Sequence, residues 1–339
     1  MILSKKRALP LLIRLFAITL LILMSLPAAA QEPVEDMPPP ARCINLGNML
    51  EAPNEGAWGL RVREEWLQMI ADAGFDSVRI PISWTTHSDP QPPYTIDEAF
   101  FERIDEVIGW ALDANLQAII NIHHFNEIMT SPEANRERLL ALWRQIAERY
   151  QDYPDALIFE ALNEPNGELS TQIWNDYQLD VLDVIRQSNP ERQVVIGAGN
   201  WNSLWEIYKL ELPEDRDNLI VTFHNYAPFE FTHQGADWVN GSDAWLGRKW
   251  PEESDESSME NDLRLAGGLQ EQLGVPLLMG EFGAYSKADL DSRVRFTRAM
   301  VENAEANGIG WCYWEFASGF GIYNPNTRQF NELYTALIP

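Results

Sequence analysis

The feature that most constrains the fold of this chain is a regular alternation of short apolar runs and longer amphipathic segments. The apolar runs have the length and composition of buried strands, and they fall at 43–48, 76–81, 117–122, 157–162, 193–196, 219–223, 276–280 and 310–314. Helical patterns lie between them, for instance at 63–73, 102–114, 136–149, 174–186, 261–273 and 292–307. Near-continuous apolar strands that alternate with helices are typical of a parallel sheet covered by helices. The order predicts an α/β fold, a single (β/α)8 TIM barrel.

An open, doubly wound sheet is the competing arrangement of the same elements. It would call for a glycine-rich phosphate-binding loop after the first strand, and Asn45-Leu46-Gly47-Asn48 does not have that pattern. The chain also shows no metal-loop signature and no repeat of solenoid length. We therefore favour the closed barrel and expect no cofactor.

The N-terminus has the pattern of a secretory signal. Four Lys and Arg residues precede an apolar run at 15–26, and the small residues Ala28-Ala29-Ala30 follow it. The run is short for a membrane span, although an uncleaved anchor helix is the alternative. We expect a signal peptide at 1–30, an exposed, acidic and Pro-rich linker at 31–42, and one catalytic domain at 43–339.

The charge of the chain limits its partners. Removing residues 1–30 takes away four of the 25 Lys and Arg residues and none of the 51 Asp and Glu residues, which leaves a formal charge near −30. Such a charge repels nucleic acid and anionic membranes. We therefore expect no nucleic-acid partner, no membrane association after signal cleavage, a secreted location (extracellular or periplasmic) and a monomer.

Two cysteines are too few for a disulfide scaffold. Cys43 and Cys312 lie on the first and last predicted strands, which are neighbours in a closed barrel. A single bridge and a pair of buried thiols both fit this placement.

Two of the apolar runs end in a glutamate. Glu164 precedes Pro165, which favours an extended conformation at Glu164 and ends the strand there. Glu281 follows Gly280 at the end of another run. Because the carboxyl ends of barrel strands meet at one mouth, where barrel enzymes carry their chemistry, we interpret the two glutamates as an acid and a nucleophile.

Most of the other strand ends also carry polar or aromatic side chains: Asn48 with Glu51, Arg79, His123 with His124, Asn163, His224 with Tyr226, and Trp314. Arg79 closes an apolar strand, and a charge there needs a partner. The sequence leaves two partners open. Arg79 can form an internal ion pair with Glu160, which faces the barrel interior by strand parity, or it can hold Glu281 ionised.

His123 and His124 raise the question of a metal site. Neighbouring residues on a strand point to opposite faces, so the pair makes a poor chelate for one ion. The chain has five histidines and no His-x-His pair on its first strand. We expect no metal, and we interpret His123 as a hydrogen-bond donor to substrate.

The stretch after the sixth strand, 226–255, is long for a barrel loop and rich in aromatic residues. It carries Tyr226, Phe229, Phe231, Trp238, Trp245 and Trp250. Such rings suit stacking on the C–H faces of sugars, and they equally suit packing within the loop.

These residues resemble glycoside hydrolase family 5, the cellulase family of the retaining (β/α)8 clan, and in particular its endoglucanase–mannanase subfamily. The matching segments run in order through 43–339 and include Asn45-Leu46-Gly47-Asn48, Val78-Arg79-Ile80-Pro81, Asn121-Ile122-His123-His124, Leu162-Asn163-Glu164-Pro165, Gly280-Glu281-Phe282-Gly283 and Tyr313-Trp314-Glu315-Phe316.

The resemblance implies Glu164 as acid/base and Glu281 as nucleophile. It implies that Asn163 holds the sugar 2-hydroxyl, that Arg79 and Tyr226 support the nucleophile, and that His224 supports the acid/base. The implied sugar-binding residues are Asn48, Glu51, His123, His124, His233, Trp238 and Trp314.

The chain departs from the family pattern at two positions. Cys43 stands where relatives carry a small residue, which bears on strand packing. Asn225 stands where they carry an aromatic residue, which puts one substrate contact in doubt.

The expected activity is that of a retaining endo-β-1,4-glucanase acting on a β-linked polysaccharide or oligosaccharide, with weaker action on mannan and little on xylan. A catalytically silent carbohydrate-binding barrel is the rival from another functional class. A metal-dependent hydrolase is a third reading.

Overall fold

Eight short strands pair in parallel, each with the next in chain order and the last with the first, in the computed structural model, which describes residues 37–339. The strands are β1 (Arg42–Asn45), β2 (Ser77–Ile80), β3 (Gln117–Asn121), β4 (Leu157–Glu160), β5 (Val194–Gly197), β6 (Leu219–His224), β7 (Leu277–Phe282) and β8 (Gly310–Tyr313). The closed order confirms the predicted (β/α)8 barrel. Each predicted strand contains one of these eight or overlaps most of it.

The helices are α1 (Glu64–Asp72), α2 (Glu98–Asp113), α3 (Asn126–Thr130), α4 (Pro132–Arg149), α5 (Thr171–Arg186), α6 (Gly199–Asn202), α7 (Phe229–Thr232), α8 (Asp255–Leu273), α9 (Leu290–Ala306) and α10 (Tyr334–Leu337). Three short 3-10 helices cover Trp84–His87, Leu204–Lys209 and Ser242–Trp245, and a two-stranded hairpin joins β9 (Tyr323–Asn324) to β10 (Gln329–Phe330).

Most of the long helices begin earlier than the sequence predicts. For example, α4 begins at Pro132 and α8 at Asp255, where we predicted starts at 136 and 261. The first turns of α4 and α8 are mostly polar and are exposed or half-buried, so they carry little of the apolar periodicity on which the prediction rests. The connection from β5 to β6 has no long helix and consists of α6 and a 3-10 turn.

The barrel interior has an apolar layer below a polar one. The apolar layer consists of Cys43, Ile119, Ile158, Val195, Ile220, Leu278 and Cys312. Two residues further along their strands, Asn45 pairs with Arg79 and Asn121 pairs with Glu160, all buried. Residues of opposite parity, such as Ile44 and Phe159, join the larger core beneath the helices. The polar layer lies towards the carboxyl ends of the strands and forms the floor of the mouth.

A disulfide joins Cys43 and Cys312 across the neighbouring strands β1 and β8. Both residues are fully buried, and 269 positions separate them in the sequence. Of the two possibilities that the sequence leaves open, the structure has the bridge. It links the first and last strands, where the barrel closes.

The described part of the predicted linker lies against the amino-terminal end of the barrel. The side chain of Gln117 donates to the carbonyl of Pro38 at 2.7 Å, and that of Gln193 donates to Met37 at 2.6 Å. Pro40 is buried, whereas Pro38 and Pro39 are exposed as predicted. Strand β1 begins at Arg42, one residue inside the predicted linker.

The signal peptide predicted at 1–30, and the linker up to residue 36, lie outside the described residues. Within 37–339, none of the helices has the length and apolar character that crossing a bilayer requires.

Candidate active site

A cleft of about 1370 Å³ opens at the carboxyl ends of the barrel strands. Of the site residues predicted from the sequence, those that line it are Asn48, Glu51, His123, His124, Asn163, Glu164, His224, Tyr226, His233, Trp238, Glu281 and Trp314. Arg79 lies in the polar layer of the barrel interior and reaches the cleft through its partners. The barrel thus brings together groups that are as much as 266 positions apart in the chain.

Two glutamates face each other across this mouth, Glu164 after β4 and Glu281 on β7. One oxygen of each carboxyl group and one ring nitrogen of His224 all lie within 4.8 Å of one another. Glu164 has a φ of 46°, in the left-handed region, so the extended conformation that we predicted from Pro165 is wrong. The backbone turns sharply at Glu164, a strained arrangement for a residue with a side chain, and such strain concentrates at functional sites.

Glu281 owes its direction to an irregularity in β7. Leu278 faces the barrel interior, so strict alternation would place Gly280 inside and Glu281 outside. The pairing register of β7 shifts against both of its neighbours near this point, and Phe282 packs outward against Trp311. A bulge of this kind re-aims a side chain beside an active site.

Arg79 joins the polar layer to the nucleophile candidate. Its Nε and one terminal nitrogen donate to Glu160 at 2.5 and 2.7 Å, and the other terminal nitrogen donates to Glu281 at 2.7 Å. It also donates to Asn45 and Asn163, each at 2.8 Å. The two partners that the sequence left open are therefore both present. A buried cation with this many acceptors is fully paired.

Burial and the charges in this network shift the pKa values of its members. Burial acts to lower the pKa of Arg79, but Glu160 and Glu281 raise it above its ordinary value, so the guanidinium stays charged. Burial acts to raise the pKa of Glu160, but Arg79 outweighs it and lowers that pKa. Glu160 is therefore ionised and balances the charge of Arg79.

The two facing glutamates both have raised pKa values. Burial raises the pKa of Glu164 to about 7, with Arg79 opposing and Glu160 adding to the rise. Burial also raises the pKa of Glu281, with His224 and Arg79 opposing and Glu164 adding to it. Burial is therefore the main reason that Glu164 holds a proton near neutral pH.

The hydrogen bonds distinguish the two carboxyl groups where the pKa directions do not. Glu281 accepts from Arg79 and from the Tyr226 hydroxyl, the latter at 2.9 Å. Glu164 pairs with the neutral His224 through Nδ1, at 2.8 Å, and its side chain is 24% exposed against 6% for Glu281. Two donors, one of them a cation, favour a negative charge on Glu281.

Residues 45–319 match the family model described as cellulase (glycosyl hydrolase family 5). The chain belongs to glycosyl hydrolase family 5. Endoglucanase H of Acetivibrio thermocellus is 36% identical over 300 residues, covering 86% of this chain and 32% of that protein. Endoglucanase A of Ruminococcus albus is 31% identical over 318 residues, covering 84% of this chain and 85% of the relative. This chain spans about a third of the length of Endoglucanase H and of the cellulase/esterase CelE from the same organism.

Solved structures show the same relationship. Cel5A of Thermotoga maritima in complex with cellobiose superposes with a TM-score of 0.86 at 47% identity, covering 88% of this chain and 97% of that one. The same protein has been solved with mannotriose. A broad-specificity endoglucanase from Clostridium acetobutylicum gives a TM-score of 0.77 at 28% identity.

His123 and His124 of this family 5 chain both line the cleft, and their ring centroids lie 4.8 Å apart. The prediction that they point to opposite faces is wrong, because β3 ends at Asn121 and the pair lies in the loop beyond it. Burial lowers the pKa of both rings, so both are neutral at neutral pH. His123 also lies parallel to Trp314 at 5.6 Å.

The aromatic residues of the loop after β6 fall into two groups, one packed within the protein and one lining the cleft, and the sequence left both possibilities open. Phe231 and Trp250 are buried and pack on Phe296 of α9. Tyr226, Phe229 and Trp238 line the cleft instead. Phe229 stacks on His233 at 4.1 Å, and burial lowers the pKa of that histidine to about 4.

Sequence reasoning missed the aromatic residues that follow β5. Trp201 and Trp205 line the cleft and are 55% and 60% exposed. Trp58, beyond β1, lines it as well. The signal was available, because three large aromatic residues fall within 201–208, where no helical or strand pattern buries them.

Sequence reasoning also assigned no role to Glu315. It is fully buried, its Oε1 accepts from the backbone of Phe320 at 3.2 Å, and its Oε2 has no partner. Burial raises its pKa to about 8, and nearby Glu51, whose pKa burial raises to about 7, adds to that rise. These two carboxyl groups lie on loops after β8 and β1, beside Trp314 and Asn48.

Asn225, the departure from the family pattern, lines the cleft but turns its side chain to its own loop. Its Oδ1 accepts from the backbone nitrogen of Ala227 at 3.0 Å. The amide thus stabilises a local turn. Asparagine has no ring, so it cannot make the contact that an aromatic residue at this position would make with substrate.

Among residues 37–339, the one group of His, Cys, Asp and Glu side chains close enough to hold a metal ion is Glu164, His224 and Glu281. These are the facing glutamates and their histidine, and each already has a hydrogen-bond partner. Arg79 contacts Glu281 directly, and its positive charge opposes a second cation there.

Proposed function

We propose that this family 5 protein is a retaining endo-β-1,4-glucanase that works by double displacement. The observation that carries the proposal is the separation of the two glutamates. One carboxylate oxygen of Glu164 lies within 4.8 Å of one carboxylate oxygen of Glu281. Retaining enzymes hold their carboxyl groups about 5–5.5 Å apart, and inverting enzymes about 6.5–9.5 Å, because a water molecule must fit between. The distance here supports direct attack by a carboxylate.

In the first step Glu281 attacks the anomeric carbon, and Glu164 gives its proton to the leaving glycosidic oxygen. In the second step Glu164 takes a proton from water, which hydrolyses the glycosyl ester on Glu281. Arg79 and Tyr226 hold Glu281 in its charged form, and His224 orients Glu164. A pKa of about 7 suits Glu164 to both giving and taking a proton near neutral pH.

Asn163 lies next to Glu164 and accepts from Arg79 through its Oδ1, so its amide nitrogen is directed by that bond. We propose that this nitrogen holds the sugar 2-hydroxyl. His123, His124, Asn48, Glu51, His233, Trp238 and Trp314 line the sugar-binding part of the cleft. The cleft thus offers polar groups for hydroxyls and ring faces for C–H surfaces, as a polysaccharide requires.

One backbone hydrogen bond supports a proposal for the leaving-group side of the cleft. The nitrogen of Trp201 donates to the carbonyl of Pro165, the residue after Glu164, at 3.1 Å. Trp201 therefore lies near the proposed acid/base, and Trp205 lines the same cleft. We place the departing part of the chain against these two rings.

Soluble β-glucans are the proposed preferred substrates, with weaker cleavage of mannan. The similarity to a protein solved with both cellobiose and mannotriose supports this breadth. Release of reducing sugar from carboxymethylcellulose by the purified chain tests the function, with Glu281→Ala as the control for contaminating activity. No release above that control would favour the silent binding barrel.

The same assay with a chelator addresses the metal-dependent reading. We expect the rate in excess EDTA to equal the untreated rate, because the proposed steps use only carboxyl groups and water. A loss that added Zn²⁺ or Ca²⁺ restores would contradict the proposal.

We further propose that the protein is exported, with cleavage after Ala30. The signal-like pattern at 1–30 and the buried Cys43–Cys312 bridge, which is typical of oxidising compartments, support this. Intact-mass analysis of exported protein should give a chain that begins at Gln31. A mass that still includes residues 1–30 would refute the proposal.

A further inference from the structure

We propose that Asn202 is a positioning residue that fixes which nitrogen of His224 carries the hydrogen, so that His224 donates to the acid/base Glu164. The inference rests on the proposed role of Glu164. It concerns a residue on α6, outside the strand ends and motifs that identify the site.

The chain of contacts runs from Asn202 through His224 to Glu164. The amide nitrogen of Asn202 lies 3.4 Å from His224 Nε2, and His224 Nδ1 lies 2.8 Å from Glu164 Oε1. Asn202 is fully buried, and the His224 side chain is 2% exposed, so water does not compete for either ring nitrogen. The ring nitrogens therefore have these two groups as their nearest partners, with Glu281 Oε2 further away at 3.7 Å.

A neutral imidazole carries one hydrogen, and each of its nitrogens is either a donor or an acceptor. In the amide orientation that the structure has, the NH2 group of Asn202 faces Nε2; an NH2 group can only donate, so Nε2 is then the acceptor. The hydrogen then resides on Nδ1 and points at Glu164. This arrangement gives Glu164 Oε1 a donor in the ionised state and leaves Oε2 as the oxygen that carries the transferable proton.

The backbone around Asn202 holds the amide in place. Asn200, Trp201 and Asn202 are three successive residues in the left-handed region, with φ of 53°, 59° and 53°. The next residue, Ser203, forms a bridge with the backbone of His224. A run of strained residues persists only where its surroundings fix it.

Gly197, the last residue of β5, leaves the space that the Asn202 amide occupies. A Cβ built on Gly197 would lie 2.2 Å from Asn202 Oδ1. The three atoms nearest to a methyl group there all belong to the Asn202 amide, so the amide is what it would displace. Gly197→Ala is therefore an indirect way to move Asn202.

The first test is nuclear magnetic resonance of the ¹⁵N-histidine-labelled chain, which has five histidines. We expect Nδ1 of His224 to be protonated and Nε2 to have the shift of an unprotonated acceptor. In Asn202→Asp, an ionised carboxylate can only accept, so Nε2 should become protonated. A hydrogen on Nε2 in the unaltered chain, or an unchanged His224 signal in the variant, would overturn the proposal.

The second test is kinetic and uses the leaving group as the readout. We expect Asn202→Asp and Gly197→Ala to lower kcat on carboxymethylcellulose by ~10-fold or more, with a smaller loss on an aryl glycoside whose leaving group needs no proton. Equal losses on both substrates, or a change in KM alone, would contradict a role through Glu164.

Two matched variants control for charge and for the added methyl group. Asn326→Asp adds the same charge on an exposed hairpin turn, and Gly268→Ala adds a Cβ where nothing lies within 4 Å. Both should keep the unaltered rates. If the unaltered chain cleaves no β-glucan, the proposed function fails, while the histidine spectrum still decides the role of Asn202. If Gly197→Ala does not fold, Asn202→Asp and the spectrum remain decisive.

Discussion

Glu164 and Glu281 carry the same side chain, and the barrel gives them different partners. Glu281 accepts from a guanidinium and a phenol, whereas Glu164 contacts one imidazole and is partly open to the cleft. The proposed distinction between nucleophile and acid/base therefore rests on contacts from β2 and from the end of β6 and the loop after it, far from either glutamate in sequence.

Substitution of each glutamate by alanine should reveal these roles. Both variants should lose most activity on β-glucan, by ~10²-fold or more. Glu164→Ala should still react with an activated aryl glycoside, and azide should accelerate its turnover, because the leaving group needs no proton and the small anion can attack the intermediate. Glu281→Ala should form no glycosyl-enzyme intermediate, so azide can only attack the aryl glycoside directly and give a glycosyl azide of inverted configuration, whereas Glu164→Ala should give the retained one. Rates with azide and the anomeric configuration of the azide product check this, and the opposite pattern of configurations would reverse the assignment.

The raised pKa of Glu315 predicts that the stability of the folded chain depends on pH. Burial raises its pKa from 4.5 to about 8, so the folded chain holds it neutral where the unfolded chain ionises it. The stability that it contributes is complete below about pH 4.5 and is lost as the pH rises through about 8. Glu315→Gln has no proton to lose and should show a smaller fall in Tm from pH 5 to pH 8, by a few degrees.

Thermal unfolding at the two pH values measures this effect, with the exposed Glu332→Gln as a matched control. Glu51, with a pKa of about 7, retains part of the dependence in either variant. An unchanged pH response in Glu315→Gln would show that Glu315 is charged in the folded chain.

At the scale of elements, three parts of the mouth come from a departure from regular structure. A left-handed residue follows β4, a bulge interrupts β7, and a turn of left-handed residues follows β5. Regular strands supply the scaffold, while these irregular ends direct Glu164, Glu281 and Asn202 towards one another. Such positions cost conformational energy, which the surrounding packing must offset.

The turn after β5 also presents Trp201 to the cleft beside Glu164. Trp201→Ala should raise KM for β-glucan by about 10-fold, since stacking on a sugar contributes on the order of 1 kcal/mol or more. It should leave an aryl glycoside with no sugar on the leaving side nearly unaffected. Michaelis–Menten kinetics on both substrates measure this difference. Tyr208→Ala serves as the control, because Tyr208 is 53% exposed and is not part of the cleft; equal effects of the two variants would contradict the assignment.

At the scale of the whole molecule, the cleft is lined by several alternative hydrogen-bond donors and acceptors, among them Asn48, Glu51, His123, His124 and His233. Glucose and mannose units differ at carbon 2, and a site with adaptable polar groups discriminates weakly between them. Xylose lacks the hydroxymethyl arm and would lose the contacts that position the ring. We expect mixed-linkage glucan and carboxymethylcellulose to be cleaved fastest, glucomannan or mannan more slowly, and xylan barely.

Initial rates on these polymers in one buffer, at equal enzyme concentration, give the ranking. Glu281→Ala measured in parallel provides the background for each polymer. Xylan as the best substrate, or no cleavage of any β-glucan, would refute the proposed specificity.

The sequence by itself determined the barrel. Eight apolar strands separated by amphipathic helices bury their apolar surface when the strands close into a parallel barrel covered by the helices. It also identified Glu164, Glu281 and Arg79, because charged groups at the ends of apolar strands demand a common polar site. Patterns of this kind can be read from the sequence because they depend only on residues that are close together in the chain.

Only the tertiary structure decided the geometry of the site. The left-handed turn at Glu164, the pairing of Cys43 with Cys312, and the contacts of Asn202 with His224 depend on groups that the barrel brings together from distant positions. The rule for a residue before proline predicted the wrong conformation at Glu164, because the packing of the barrel mouth outweighs a local steric preference. Burial, which sets the pKa values of Glu164 and Glu315, likewise exists only once the chain has closed around them.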